Sequence, residues 1–109
     1  MNIDNAKSQM RKGMLEYCIM LLLREQAAYA SDIIGQLKAA DLLVVEGTLY
    51  PLLTRLKNDG LLGYEWREST QGPPRKYYVL TTEGQMVLLQ LDEAWAEIEN
   101  TVRKLKVKS

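Results

Sequence analysis

The stretch EGTLYPLLTRLKNDGLL, Glu46 to Leu62, decides the fold. Leu49, Leu52, Leu53 and Leu56 fall at i, i+3, i+4 and i+7, one apolar face of a helix. Asn58-Asp59-Gly60 supplies the stop, with Gly60 available for the left-handed residue that closes many helices. The opposite face carries Gly47, Thr48, Tyr50, Pro51, Thr54, Arg55, Lys57 and Asn58. Its N-terminal end is therefore slim, polar and stiffened. Pro51 sits harmlessly in the first turn if Thr48 caps the helix, and removes one backbone bond if Glu46 does. A core helix gains nothing from such an entrance. A helix that enters the DNA major groove by its N-terminal end needs one. The competing reading is that Tyr50 and Pro51 pack beside the first helix.

Upstream, Met1 to Ala6 reads as a loose arm. One helix is expected from Ser8 to about Glu25. The apolar run Tyr17 to Leu23 covers nearly its whole circumference, as in a helix wrapped by its own domain and a neighbouring subunit. Ser31 is placed as the N-cap of a short second helix carrying Ile33, Ile34 and Leu37. Leu42 to Val45 reads as a brief strand. Downstream, Leu62, Tyr64 and Trp66 alternate against Gly63, Glu65 and Arg67, a strand with one covered face. STQGPP is a turn cluster, and RKYYVLT is the returning strand of a hairpin with a loop longer than two residues. Thr81 or Thr82 then opens a helix to about Lys106, in which Leu88, Leu91, Trp95, Ile98, Val102 and Leu105 form a near-heptad seam. Its acidic residues precede Arg103, Lys104, Lys106 and Lys108, an order that suits the helix dipole.

Three helices followed by a hairpin form a winged helix-turn-helix. The expected fold is mainly α with a small β-hairpin. Residues 1–80 form the DNA-binding unit and residues 81–109 a C-terminal dimerisation helix, with Leu91, Trp95, Ile98, Val102 and Leu105 at the interface. The chain has 109 residues, one domain's worth, with 14 basic and 14 acidic side chains. Net charge zero means that only local charge can support nucleic-acid binding. There is no histidine and one cysteine, Cys18, so no disulfide framework, Cys/His metal cluster or metal cofactor is expected. Nor is an enzyme, since no catalytic motif is present. The longest apolar run is too short to span a bilayer, which needs about 18 residues or more. A cytoplasmic protein with no membrane partner is expected.

GTLYPLLTRLKNDGLL, followed by PRKYYVLTTEG and preceded by RKGMLEYCIMLLL, resembles the PadR family of winged-helix transcriptional regulators, over roughly Met10 to Lys106. The likeness is to the short members with a single terminal helix. It implies a homodimer that binds double-stranded operator DNA, represses, and is in some cases released by a small aromatic or lipophilic effector. By the resemblance, Lys12 faces DNA phosphate, Tyr29 and Ser31 begin the second helix at phosphate, Thr48, Tyr50 and Arg55 belong to the recognition helix, and Arg75 and Lys76 to the wing. Thr54 and Lys57 share the recognition face. Arg67 is a wing candidate flanked by Glu65 and Glu68, and Pro73-Pro74 stands where the family commonly has glycine or a basic residue. The resemblance also implies that Trp95 lines a pore, where two indoles across a two-fold axis would sandwich a planar ligand. Filling the interface core is the competing role for Trp95. Met10, Met14 and Tyr17 are possible lining. A protein-binding adaptor on the same scaffold is the alternative function.

Overall fold

The computed structural model describes residues 1–107; Lys108 lies outside the described residues. The order is α1 (Ile3–Lys12), α2 (Leu15–Glu25), α3 (Ala30–Ala39), α4 (Glu46–Asn58), β1 (Leu62–Ser69), β2 (Gly72–Leu80) and α5 (Thr82–Val107). The winged helix-turn-helix is formed as expected, with α3 and α4 as the paired helices and β1–β2 as the wing. Ile19, Met20, Leu23, Ile33, Leu37, Leu49, Leu53, Leu56, Leu62, Tyr78 and Leu88 form one core drawn from every element except α1.

The expected first helix is two helices. The chain enters α1 at Ile3 because the Asn2 side chain accepts from the Asn5 backbone N–H at 3.1 Å, an N-cap that the loose-arm reading missed. It breaks at Gly13, a residue that destabilises a helix interior by about 1 kcal/mol relative to alanine. The Met14 N–H bonds back to Arg11 three residues earlier, tightening the last turn. No residue of α1 is buried. In α2, Leu15, Ile19, Met20 and Leu23 are buried, while Tyr17, Cys18, Leu21 and Leu22 are only half-buried by this chain.

Tyr29, not Ser31, is the N-cap of α3, without a side-chain bond; Ser31 is exposed in the first turn. The helix closes in a Schellman motif, with Asp41 in the left-handed region at φ 66° and Leu42 N–H bonded to Leu37 O at 2.8 Å. Leu42–Val45 is not a strand but has no regular secondary structure, with Val45 in extended conformation. The place beside the hairpin is taken by Ala28, which exchanges backbone bonds of 3.2 and 2.8 Å with Tyr78. Val45 caps α4, so neither Thr48 nor Glu46 does, and Pro51 lies inside the helix. Its missing N–H leaves the Gly47 carbonyl without the usual i−4 donor. Gly60 closes α4 as expected, at φ 80°, with Leu61 N–H on Leu56 O at 3.0 Å.

The strands pair antiparallel from Leu62↔Leu80 to Arg67↔Arg75 and then Ser69↔Gly72. The loop is thus only Thr70-Gln71, shorter than expected, because the prolines fall inside β2. Glu68 alone faces Pro73 and Pro74, a bulge placed where two residues have no ladder N–H to lose. The covered face of β1 is shorter than its alternation suggests: Leu62 is 2 % exposed but Trp66 is 63 % exposed.

α5 starts on Thr81, whose hydroxyl oxygen accepts from Gly84 N–H at 2.9 Å and lies 2.7 Å from the Gly60 carbonyl, to which it donates. The helix has 26 residues, about 39 Å at 1.5 Å each. Among described residues only Gly84 and Leu88 of α5 are buried, so its C-terminal half projects. The radius of gyration, 16.0 Å, accordingly exceeds the roughly 13 Å of a compact chain this long.

Candidate nucleic-acid interface

The start of α3, the start of α4 and the wing enclose a cleft of about 410 Å³ lined by Tyr29, Ser31, Glu46, Tyr50, Trp66, Arg75, Lys76 and Tyr78. The fold therefore brings together five of the residues singled out in the sequence, Tyr29, Ser31, Tyr50, Arg75 and Lys76. Aromatic rings hold the cations. The Arg75 guanidinium lies 4.5 Å from the Tyr29 ring centre, and the Lys76 ammonium 4.1 Å from that of Tyr64. Among the described residues neither pairs with a carboxylate, so both charges stay available to an anion. Tyr29 in turn meets Tyr77 edge-on at 5.2 Å, and Arg67 covers Tyr77 at 4.5 Å while bonding Glu65. This stack ties the wing to the start of α3. Tyr29 acts as its ring, and Arg67 is neutralised within the wing.

A second surface lies along the outer face of α4, where Tyr50, Pro51, Thr54, Arg55, Asn58 and Asp59 line a shallow depression. Thr48 is exposed in the first turn of α4. Lys57 is exposed, 5.1 Å from the Tyr64 ring. Arg55 is already engaged: its Nε and Nη2 donate to the two carboxylate oxygens of Glu16 on α2. A forked pair of this kind fixes the guanidinium and cancels its charge. Lys12 ends α1 on the surface, in neither cleft. Sequence reasoning missed Trp66 and Glu16. Trp66 was hidden by its alternation with buried Leu62, and Glu16 by a separation of 39 residues from Arg55.

A third feature is an apolar groove of about 730 Å³ between α1, α2 and α5. Met10, Met14, Tyr17, Leu91, Trp95, Ile98 and Val102 line it, which unites Trp95 with the three first-helix residues considered as lining. Leu91 and Trp95 are half-buried, Ile98 and Val102 exposed, and Leu105 lies beyond the groove, 66 % exposed. At its wall the Tyr17 hydroxyl donates to Asp92 at 2.6 Å, and Arg24 donates to the other Asp92 oxygen at 3.0 Å. The hydrogen bond to Asp92, then burial, pushes Tyr17 up to about 12. Bonding from Tyr17 holds Asp92 below the usual carboxylate value. Burial pushes the Cys18 thiol up, which keeps it protonated and unreactive. Among described residues no acidic, histidine or cysteine cluster is placed to hold a metal ion.

The Tyr17–Asp92 bond gives stability a pH signature. Tyr17 has a folded value above its ordinary 10.0, so its contribution is complete below pH 10 and is lost as pH rises toward 12. Asp92 is depressed, so its contribution is present above the ordinary carboxylate range and lost as pH falls below it. Thermal melts should find Tyr17→Phe less stable than wild type by a constant margin through neutral pH. That margin should shrink above pH 10; a margin independent of pH would remove the bond from the account.

A model of the PadR-like family of transcriptional regulators matches residues 19–90. The chain belongs to that family. It is similar to the solved structure of a PadR-like transcription factor from Bacteroides fragilis, at 69% identity over 93% of this chain and 98% of that one, with a TM-score of 0.77. A PadR family regulator from Eggerthella lenta shares 33% identity over 94% and 90% of the two chains, with a TM-score of 0.81. The PadR-like regulator of Bacillus cereus shares 34% over 89% and 95%, also at 0.81. An uncharacterised Lysinibacillus sphaericus protein is 26% identical over 88% of this chain and 91% of its own length. As a PadR-like chain the protein is a DNA-binding transcriptional regulator and not an enzyme. No helix among the described residues is long and apolar enough to cross a membrane.

Proposed function

We propose that the protein is a cytoplasmic homodimeric repressor. Two copies join along α5, residues 82–107, with α1 and the open side of α2. The two α4 helices and wings then enter successive grooves of an inverted-repeat operator. A small aromatic or lipophilic compound bound at Trp95 releases the complex. One observation carries this reading: Trp95, Ile98 and Val102 continue one apolar groove that this chain alone leaves open. An unburied α1 beside the same groove supports it, because a ten-residue helix is marginal without packing.

Of the five cations on the proposed DNA side, Lys12, Arg55, Lys57, Arg75 and Lys76, one is cancelled by Glu16. Four per subunit give a salt slope on the order of −7 for a dimer, against about −9 had all five been free. The test is fluorescence anisotropy with a labelled random-sequence duplex across salt concentrations. The wild type should bind weakly and lose affinity steeply. Tyr50→Ala should weaken binding several-fold while light scattering still reports a dimer. Planar aromatic compounds should quench Trp95. No binding at low salt would favour the protein-binding adaptor, and a flat quenching titration across a diverse panel would remove the effector.

A further inference from the structure

We propose that Trp66 is a DNA-contacting residue, and that the cleft beside it seats the deoxyribose–phosphate backbone of one strand. The inference rests on the DNA-binding reading above and adds a residue and a role to it. Leu62, Tyr64 and Trp66 share one face of β1, and exposure rises along it from 2 % through 41 % to 63 %. At about 3.4 Å per residue, Trp66 stands about 14 Å from the core contact at Leu62. The face that starts in the core thus ends in the open cleft. A single exposed tryptophan is unremarkable by itself. What surrounds this one is specific.

Directly across the ladder from Trp66 is Lys76, whose ammonium rests 4.1 Å from the Tyr64 ring centre and 5.4 Å from that of Tyr78. Arg75 is held over Tyr29. Aromatic faces position both cations without neutralising them. The cleft also has sides of opposite sign. Arg75 and Lys76 stand on the wing, and Glu46 stands on the start of α4. A polyanion is drawn to the wing side, where the indole is. A deoxyribose–phosphate chain offers the matching alternation: phosphates for the two cations, and an apolar sugar face for a flat ring. The indole N–H adds a donor for a phosphate oxygen. Tyr50 closes the cleft opposite and can reach the same strand through its hydroxyl.

The experiment uses the full chain and a fluorescein-labelled random-sequence duplex of about 20 base pairs. Anisotropy and intrinsic tryptophan emission are read for wild type, Trp66→Ala and Trp66→Phe. Trp66→Ala should lose about tenfold in affinity, the usual loss when a hydrogen bond to a charged group is removed together with the apolar contact beside it. Trp66→Phe should lose less. The salt slope should be unchanged in both, because no cation is removed, whereas Lys76→Ala should flatten it by about 0.9 per subunit. Duplex should change the emission of wild type and not that of Trp66→Phe. Melting temperatures should stay together, since the side chain is exposed. Equal affinities for all three proteins, with emission indifferent to duplex, would overturn the proposal while leaving DNA binding intact. A wild type that binds no duplex at any salt overturns the DNA reading, and this inference falls with it.

Discussion

Gly84→Ala is expected to lower the melting temperature by more than about 10 °C at fixed protein concentration. In an ordinary helix interior this substitution is favourable by about 1 kcal/mol. Here a β-carbon would stand 2.2 Å from the Leu61 carbonyl oxygen and 2.8 Å from Leu80 Cδ1. The oxygen belongs to backbone and cannot swing away. That carbonyl already accepts from the Thr81 N–H at 3.0 Å, and the neighbouring Gly60 carbonyl accepts from the Thr81 hydroxyl. Moving it would disturb the junction that sets the direction of α5. Overpacking against rigid neighbours costs about 3 kcal/mol at the upper end of its usual range. Each kcal/mol is worth roughly 4 °C or more in a domain of this size. Gly35→Ala supplies the control. That glycine lies in α3 with nothing within 4 Å of the added atom, so the ordinary helix gain should appear. Equal melting shifts in the two variants would mean that α5 does not begin as close to Leu61 as described.

Val102→Asp should convert the proposed dimer to monomer at micromolar concentration, raising the dissociation constant at least about 1000-fold. Val102 is 45 % exposed in the single chain and lines the groove with Trp95 and Ile98. In a two-fold interface the same position occurs twice, so one substitution buries two carboxylates. A buried charge without a partner costs about 3–5 kcal/mol. Sedimentation of wild type and variant decides the matter. A wild type that is already monomeric, or a variant that stays dimeric, would place the interface elsewhere. In the proposed complex two copies meet the grooves of one operator, so DNA affinity should fall along with the dimer.

The pattern of leucines from Leu49 to Leu56, the Gly60 stop and the alternation after Leu62 were sufficient for the winged helix-turn-helix, because each is a local consequence of backbone periodicity. The outward placement of Thr48, Tyr50, Thr54, Arg55 and Lys57 on α4 was legible for the same reason: a helix with one apolar stripe must present the rest to solvent. What failed locally involved competition between neighbours. Asn2 offered a cap that extended α1, Gly13 divided a continuous apolar pattern, and Tyr29 displaced Ser31 from the end of α3. The Leu42–Val45 segment has strand composition but makes no bridge to the hairpin; the bridge there is made by Ala28 on Tyr78.

Only the tertiary structure decided which polar groups meet across long separations. Glu16 on Arg55 and Asp92 between Tyr17 and Arg24 depend on how helices cross, and the stack from Arg75 to Arg67 on where the wing meets the start of α3, none of which short-range spacing encodes. The same holds for Trp66. Alternation placed it on the face of Leu62, but how far along that strand the core reaches is decided only by the packing of the helices against the hairpin. The sequence determined which faces are apolar; the packing determined which of them this chain leaves uncovered.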